Sequence, residues 1–336
     1  MKRVVAVLAL ATGCGGSSAP LAPPPDRALA PAATTSASAP AGPASAAALE
    51  HVRQNVTRSE AAWVARSPRD LQILYTPDAS IVSFGAEGRR AETPEEMVRG
   101  LSGFWGDLAE VRMRTARVVT AGDVAAVEWV VAGSTREGRV LGVPGLSLMW
   151  FGADGLVRKE HLFIDEQTTA MQLGDPGARG RPPLGLPTAT TFVAASGATA
   201  ERASTDLAKA FYRSLADKDV DALASLLADE AVYRDLARPD DVVGRESIAR
   251  DFRQLVAAFP DLTVDPTDVV GTASHVVVAG TWSGTMTGAL GGLASTNRRG
   301  DVHFADVLEI EGGKIVRLTS YTNGAELAGA FFRPVK

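Results

Sequence analysis

Three aspartates, Asp165, Asp306 and Asp235, stand where strand-like runs would set a carboxylate among apolar side chains. In the run that ends at Asp165, alternation places Val157, Lys159, His161, Phe163 and Asp165 on one face. His161 and Asp165 would lie roughly 13 Å apart along it at ~3.3 Å per residue. That is too far for a direct hydrogen bond, but both could line one elongated cavity walled by Trp129 and Trp150. Further on, Val302, Phe304, Asp306, Leu308 and Ile310 share a face, so Asp306 interrupts an apolar row. A buried acid is costly unless paired or neutral, which makes it a functional candidate. Asp235 ends a short strand two residues after Tyr233. A carboxylate desolvated in an apolar pocket, with a donor nearby to stabilise an enolate, is equipped for proton transfer. Three plainer readings compete. Lys159 and His161 could face solvent with Asp165 merely ending its strand, a one-residue shift would turn Asp306 outward, and Asp235 could be a turn former.

Other chemistries find little support. His303 falls on the face opposite Asp306, His275 begins a strand and His51 stands alone, so no metal-ligand cluster is expected. No phosphate-binding loop or nucleophile elbow occurs; the glycines of 288–292 read as turn material. No cofactor is implied. The formal net charge of -5, without a Lys/Arg stripe, argues against nucleic acid as a partner.

The elements that must position these residues come in two sets. The stretch from Gly155 to Asp165 has a counterpart from Gly313 to Asn323, and Tyr321 and Asn323 share a face of the second, where Asn can donate but cannot act as a general base. Leu74 matches Leu226 at an offset of 152, Asp107 matches Asp261 at 154, Gly133 matches Gly284 at 151 and Gly155 matches Gly313 at 158. Small drifts in one order are what loop insertions in a duplicated unit produce. An offset of 158 pairs Asp306 with Leu148, and one of 152 pairs Asp235 with Ser83.

In the second unit, apolar residues at three- and four-residue spacing predict helices around Leu207–Leu215 and Val220–Leu227, with Asp219 as cap. A short strand (231–235) and a helix (245–259) stopped by Pro260 follow. Then come strand patterns at 262–264, 269–270, 275–282, 302–310 and 315–322. Helices followed by a meandering antiparallel sheet make an α+β fold, the sheet curving over the helices to leave a cone that side chains need not fill.

Residues 175–200, rich in Gly and Pro, read as a linker between domains at 48–174 and 201–336. Residues 14–47, mostly Ala, Pro, Ser and Thr, read as a disordered tether. Residues 1–13, with Lys2, Arg3 and an apolar run from Val4 to Ala11, read as a secretory signal far short of a membrane span. Leu10-Ala11-Thr12-Gly13-Cys14 resembles a bacterial lipobox with Ala11 at a position more often Leu. That resemblance implies an acylated Cys14, the chain's single cysteine, and an exported protein anchored to the cell envelope, the outer membrane included.

The second unit resembles a SnoaL-like domain of the nuclear transport factor 2-like, ketosteroid-isomerase-like superfamily. The resemblance runs through Phe211-Tyr212, 219–223, Tyr233-Arg234-Asp235, Phe259-Pro260-Asp261-Leu262 and Gly313-Lys314-Ile315-Val316. The first unit resembles it through Ala126-Val127-Glu128-Trp129 and the ending from Asp165 to Gly174. The resemblance implies two cone-shaped α+β barrels, frequent dimerisation through the sheet and, in polyketide cyclases, an acid on the last strand, at Asp165 here and at Asn323 in the second copy. Neither copy keeps both an Asp165-type and an Asp306-type acid. The favoured expectation is therefore an envelope lipoprotein that binds a small apolar organic molecule. His161, Phe163, Trp129, Trp150, Tyr233, Tyr321 and Asn323 are its ligand-binding candidates, and Asp165, Asp306 and Asp235 its catalytic ones. The alternatives are a cyclase, isomerase or hydrolase, and an interaction scaffold whose sheets pair as an internal pseudo-dimer or in a homodimer.

Overall fold

The structure is a computed structural model in which residues 42–332 are described. The signal segment, Cys14 and most of the tether lie outside the described residues. No described helix is long and apolar enough to cross a membrane.

Domain 1 opens with α1 (Ala46–Ala65), two residues inside the stretch assigned to the tether, capped by the Ser45 side chain accepting from Ala48 N. It stops at Arg66, whose αL backbone ends the helix. The Arg66 guanidinium also ties this end to the carbonyls of Trp105, Leu108 and Ala109 at 2.7–3.1 Å. Then come α2 (Pro68–Gln72), β1 (Tyr75–Gly85), β2 (Gly88–Glu92) and α3 (Pro94–Asp107). Thr93 and Glu96 form a reciprocal capping box at the start of α3, with Pro94 in its first turn. A meander of β3 (Leu108–Ala121), β4 (Val124–Thr135), β5 (Val140–Phe151) and β6 (Val157–Ile164) follows, closed by α4 (Glu166–Gln172). The segment read as a linker is not free of structure: β7 (Thr191–Ala194) adds to β3 in parallel.

Domain 2 repeats the plan with α5 (Thr199–Ala216), α6 (Val220–Ser225), β8 (Leu227–Asp235), β9 (Val242–Val243), α7 (Arg245–Ala258), β10 (Thr263–Gly271), β11 (His275–Thr285), β12 (Arg299–Glu311), β13 (Lys314–Ser320) and α8 (Gly324–Phe331). Asp219 caps α6 by accepting from Ala222 N at 2.9 Å. The sheet orders, β2-β1-β6-β5-β4-β3-β7 and β9-β8-β13-β12-β11-β10, are the same path twice with one added edge strand. The sheets are mixed, where the sequence pattern suggested antiparallel pairing throughout. In each copy the first long strand lies parallel to the last, β1 beside β6 and β8 beside β13. Gly155 and Gly313, at φ 77° and 73°, occupy the tight turns before those last strands, a conformation that penalises any Cβ.

Each sheet buries both faces. The inner face packs on its own helices: Val56, Trp63, Phe104 and Trp129 in domain 1, and Phe211, Phe252, Phe259 and Phe304 in domain 2. The outer faces of the two sheets meet in a third apolar cluster, with Val82, Phe84, Leu146, Leu148 and Phe163 on one side against Val270, Val277, Ala305, Val307 and Tyr321 on the other. Strands covered on both sides lose the hydrophobic-in, polar-out alternation of a half-exposed sheet.

Candidate ligand cavities and the seam between the sheets

Alternation along β6 puts Glu160 and Leu162, not His161 and Phe163, on the inner face. Both line a cavity of about 80 Å³ inside domain 1, with Tyr75, Trp129, Ser147 and Met149. Tyr75 OH donates to Glu160 Oε2 at 2.6 Å, and Trp129 Nε1 donates to Ser147 Oγ at 3.0 Å. Burial drives the Glu160 carboxyl above its ordinary range, against the opposing pull of hydrogen bonds from Ser147 and Tyr75. Trp129 lies across the neighbouring strand at Gly145, where any added Cβ would stand 2.3 Å from the indole. The glycine makes room for the cavity wall.

In domain 2 the base of the cone is a cavity of about 70 Å³ lined by Tyr212, Tyr233, Phe252, Trp282, Phe304 and Asp306. Tyr212 OH donates to Asp306 Oδ2 at 2.6 Å, while Oδ1 is buried without a hydrogen-bond partner. Asp306 is 7% exposed, and burial pushes its carboxyl up to about 6 against the opposing influence of Ser320, directly across on β13, and of Tyr212. Above this base opens a mouth of about 760 Å³ that shares Tyr233, Phe252, Leu255, Trp282 and Thr322 with it and carries Asp235. Burial pushes Asp235 up to about 7, although Ala237 N donates to its Oδ1 at 3.0 Å.

Each cone thus holds a carboxylate–phenol pair, on different strands: Glu160 on β6 in domain 1 and Asp306 on β12 in domain 2. The structural counterpart of Asp306 is Ser147, not Leu148. Ser147 stands opposite Leu162 as Asp306 stands opposite Ser320, and Leu148 points into the cluster between the sheets. The offset on β5 and β12 is 306 − 147 = 159, one more than on the last strands. Ser83 and Asp235 do correspond, facing Leu162 and Ser320 in turn.

The remaining candidates lie elsewhere. His161, Phe163 and Trp150 face the other sheet: His161 packs on Phe84 and Trp150, Lys159 Nζ sits 4.0 Å over the Trp150 ring, and Phe163 is in the shared cluster. Burial, with Lys159 and Arg89 nearby, lowers His161 to about 3, so it is neutral across ordinary pH. Tyr321 crosses the seam, its OH donating to Glu128 Oε1 at 2.8 Å. Arg117 bridges the same Glu128, 2.7 Å from Oε2, to Glu309 of domain 2, also at 2.7 Å.

Asp165 and Asn323 are helix caps that cross over. Asp165 caps α4 by accepting from Gln167 N and Thr168 N, and its Oδ1 also accepts from Gly324 N, at the start of α8, at 2.9 Å. Asn323 caps α8 by accepting from Ala325 N, accepts from Glu166 N at the start of α4 at 3.3 Å, and donates to Phe84 O at 2.7 Å. Neither side chain lines either cone. Asp165 reads in sequence as the acid at a strand's end; in the fold its oxygens are occupied by backbone donors.

With this geometry, the residues matched by family models decide the kinship. Residues 205–330 match the family described as SnoaL-like polyketide cyclase, and residues 56–160 match the SnoaL-like domain. The chain belongs to the SnoaL-like family. No curated protein matches this SnoaL-like chain. Solved structures similar to it include a candidate SnoaL-like polyketide cyclase from Jannaschia sp. CCS1, 17% identical over 42% of this chain and 99% of that one, TM-score 0.39. Another is a hypothetical protein with a ketosteroid isomerase-like fold from Catenulispora acidiphila, in complex with trimethylamine, 21% identical over 39% of this chain and 95% of that one, TM-score 0.35. A third is an LEH-like epoxide hydrolase of M. tuberculosis, 18% identical over 39% of this chain and 90% of that one, TM-score 0.33. Among the described residues of the SnoaL-like pair, no group of three His, Cys, Asp or Glu is placed to hold a metal ion.

Proposed function

We propose that the domain 2 cone captures a small, largely apolar organic molecule with one oxygen, a ketone or a hydroxyl, set against Asp306. The observation that carries this is the free oxygen of Asp306. A buried carboxylate oxygen without a partner is expensive, and here it lies at the base of an apolar funnel of ligand size. A hydroxyl can donate to it when it is charged, and a ketone can accept from it when protonated. Thermal shifts of the full chain with matched ketones, alcohols and hydrocarbons test the reading. The oxygenated members should stabilise more than the hydrocarbons, and Asp306→Leu, which leaves neither donor nor acceptor at the base, should reduce that preference while Asp165→Asn leaves it in place. Equal shifts for hydrocarbons and ketones would refute it.

The raised position of Asp306, about 6, also favours a second reading in which it moves a proton next to a bound ketone. Exchange of the ketone's α-hydrogens in deuterium oxide, abolished in Asp306→Asn, would support catalysis; exchange no faster than in buffer rejects it. The lipobox-like stretch supports capture at the cell envelope through Cys14. Under that reading, Cys14→Ser moves the protein from the membrane fraction to the soluble one.

A further inference from the structure

The mouth of the domain 2 funnel is not built by domain 2 alone. Gln167, from α4 of domain 1, and Arg179, from the segment joining the domains, stand in its wall, and Arg179 N donates to Gln167 Oε1 at 3.4 Å. The Arg179 guanidinium is held through Nη1 by the carbonyl oxygens of Pro176 and Ala178, at 3.3 and 3.1 Å. Those contacts orient it without cancelling its charge. Its neighbours Arg181 and Arg238 are each matched by a carboxylate, Asp241 and Asp251, whereas Arg179 meets none among the described residues. The other charges at the mouth nearly cancel. Asp251 is taken by Arg238, and Asp235, pushed up to about 7 by burial, is largely proton-bound below neutrality. An unmatched guanidinium therefore stands at the entrance, with Leu255, Phe252 and Trp282 leading inward from it to Asp306.

We propose that the funnel's ligand is an anionic amphiphile. Its apolar body lies on Phe252, Leu255 and Trp282, its inner oxygen meets Asp306, and its carboxylate or phosphate head is gripped by Arg179, so the site is shared between the domains. The planar fork of arginine fits either head through paired hydrogen bonds. This deepens the capture reading and rests on it.

The test uses the full chain and two probes that differ only at one end, 2-decanone and 9-oxodecanoate, with 8-oxononyl phosphate as a third. Binding is read by titration calorimetry. At an exposed guanidinium the charge-assisted contact is discounted for solvent screening, so at least one anionic probe should bind about five-fold more tightly than 2-decanone. Arg179→Gln should erase that advantage and leave 2-decanone unchanged. Leu327, from α8, also lines the mouth; Leu255→Trp and, independently, Leu327→Trp narrow the funnel and should weaken every probe. Equal affinity for the ketone and both anions in the parent chain overturns the anionic head, and an advantage that survives Arg179→Gln overturns the grip by Arg179 and the sharing of the site between the domains; either result leaves capture standing. Absence of binding by all three probes, or binding indifferent to both blocking substitutions, removes capture and this proposal with it.

Discussion

Asp306→Asn probes the deepest element of the domain 2 cone directly. The carboxyl shifts from an ordinary 3.8 to about 6 because burial disfavours its charge. A group raised on folding contributes stability that is fully present below its unfolded value and is lost as pH rises through its folded value. At about 1.4 kcal/mol per pH unit, the gap is worth about 3 kcal/mol, lost between pH ~4 and pH ~7. Asparagine carries no charge to desolvate and can still accept from Tyr212, at a loss of about 1 kcal/mol relative to the charged acceptor. The variant should therefore equal or fall slightly below the parent at pH 4 and exceed it by about 2 kcal/mol at pH 8. Scanning calorimetry should show the difference in melting temperature moving by about 10 °C across that range, for a domain of this size. Asp235 titrates nearby and feels Asp306, so the comparison is repeated in an Asp235→Asn background. A difference that stays flat from pH 4 to pH 8 would mean that Asp306 is solvated in the folded protein, and the dry, apolar funnel base would be refuted.

Asp165→Ala and Asn323→Ala should each cost about 1–2 kcal/mol as lost helix caps. Because each also serves the partner helix, the double variant should depart from additivity by at least 0.5 kcal/mol in thermal unfolding. Ser147→Ala leaves the buried Trp129 Nε1 without its acceptor, an expected loss of about 1–3 kcal/mol by urea titration, with little change in domain 2 binding. Arg117→Met strands the buried Glu128 and should cost about 3 kcal/mol, part of it restored by adding Glu128→Gln; equal stability of the single and double variants would show that the ion pair is not what Glu128 requires.

The order of helices and strands, the duplication and the cone were legible in the sequence, because helical spacing in α5 and α6 and continuous aliphatics in β11 and β12 leave few other folds. The cavity-facing side of β6 was not. Lys159, His161, Phe163 and Asp165 look like a pocket wall, yet they line the seam between sheets. A strand covered on both faces gives no polarity with which to choose, and Glu160, flanked by Lys159 and His161, looks solvent-facing. Asp306 was legible because β12 is otherwise apolar on that face. The cap at Asn323 also had a signal: Asn323 followed three residues later by Glu326 is a helix-start pattern, but the strand before it drew the reading toward a strand end. The mouth of the funnel was beyond sequence reach, because Gln167 and Arg179 arrive there only through the docking of one domain on the other.

The crossed caps also bear on why two cones share one chain. Two identical subunits meeting about a twofold axis must present a surface complementary to itself, so any residue on the axis faces its own copy. Two aspartates at the Asp165 and Asn323 positions would bring two acids together at one pair of helix starts, with no side-chain amide to donate to Phe84 O. Fusion lifts that requirement: one side can keep the acid, the other the amide, and Arg117 can reach Glu309 without a mirror-image mate. A joined pair is free to let its halves diverge, one cone setting its acid at Glu160 on β6 while the other sets it at Asp306 on β12 beneath a wide entrance.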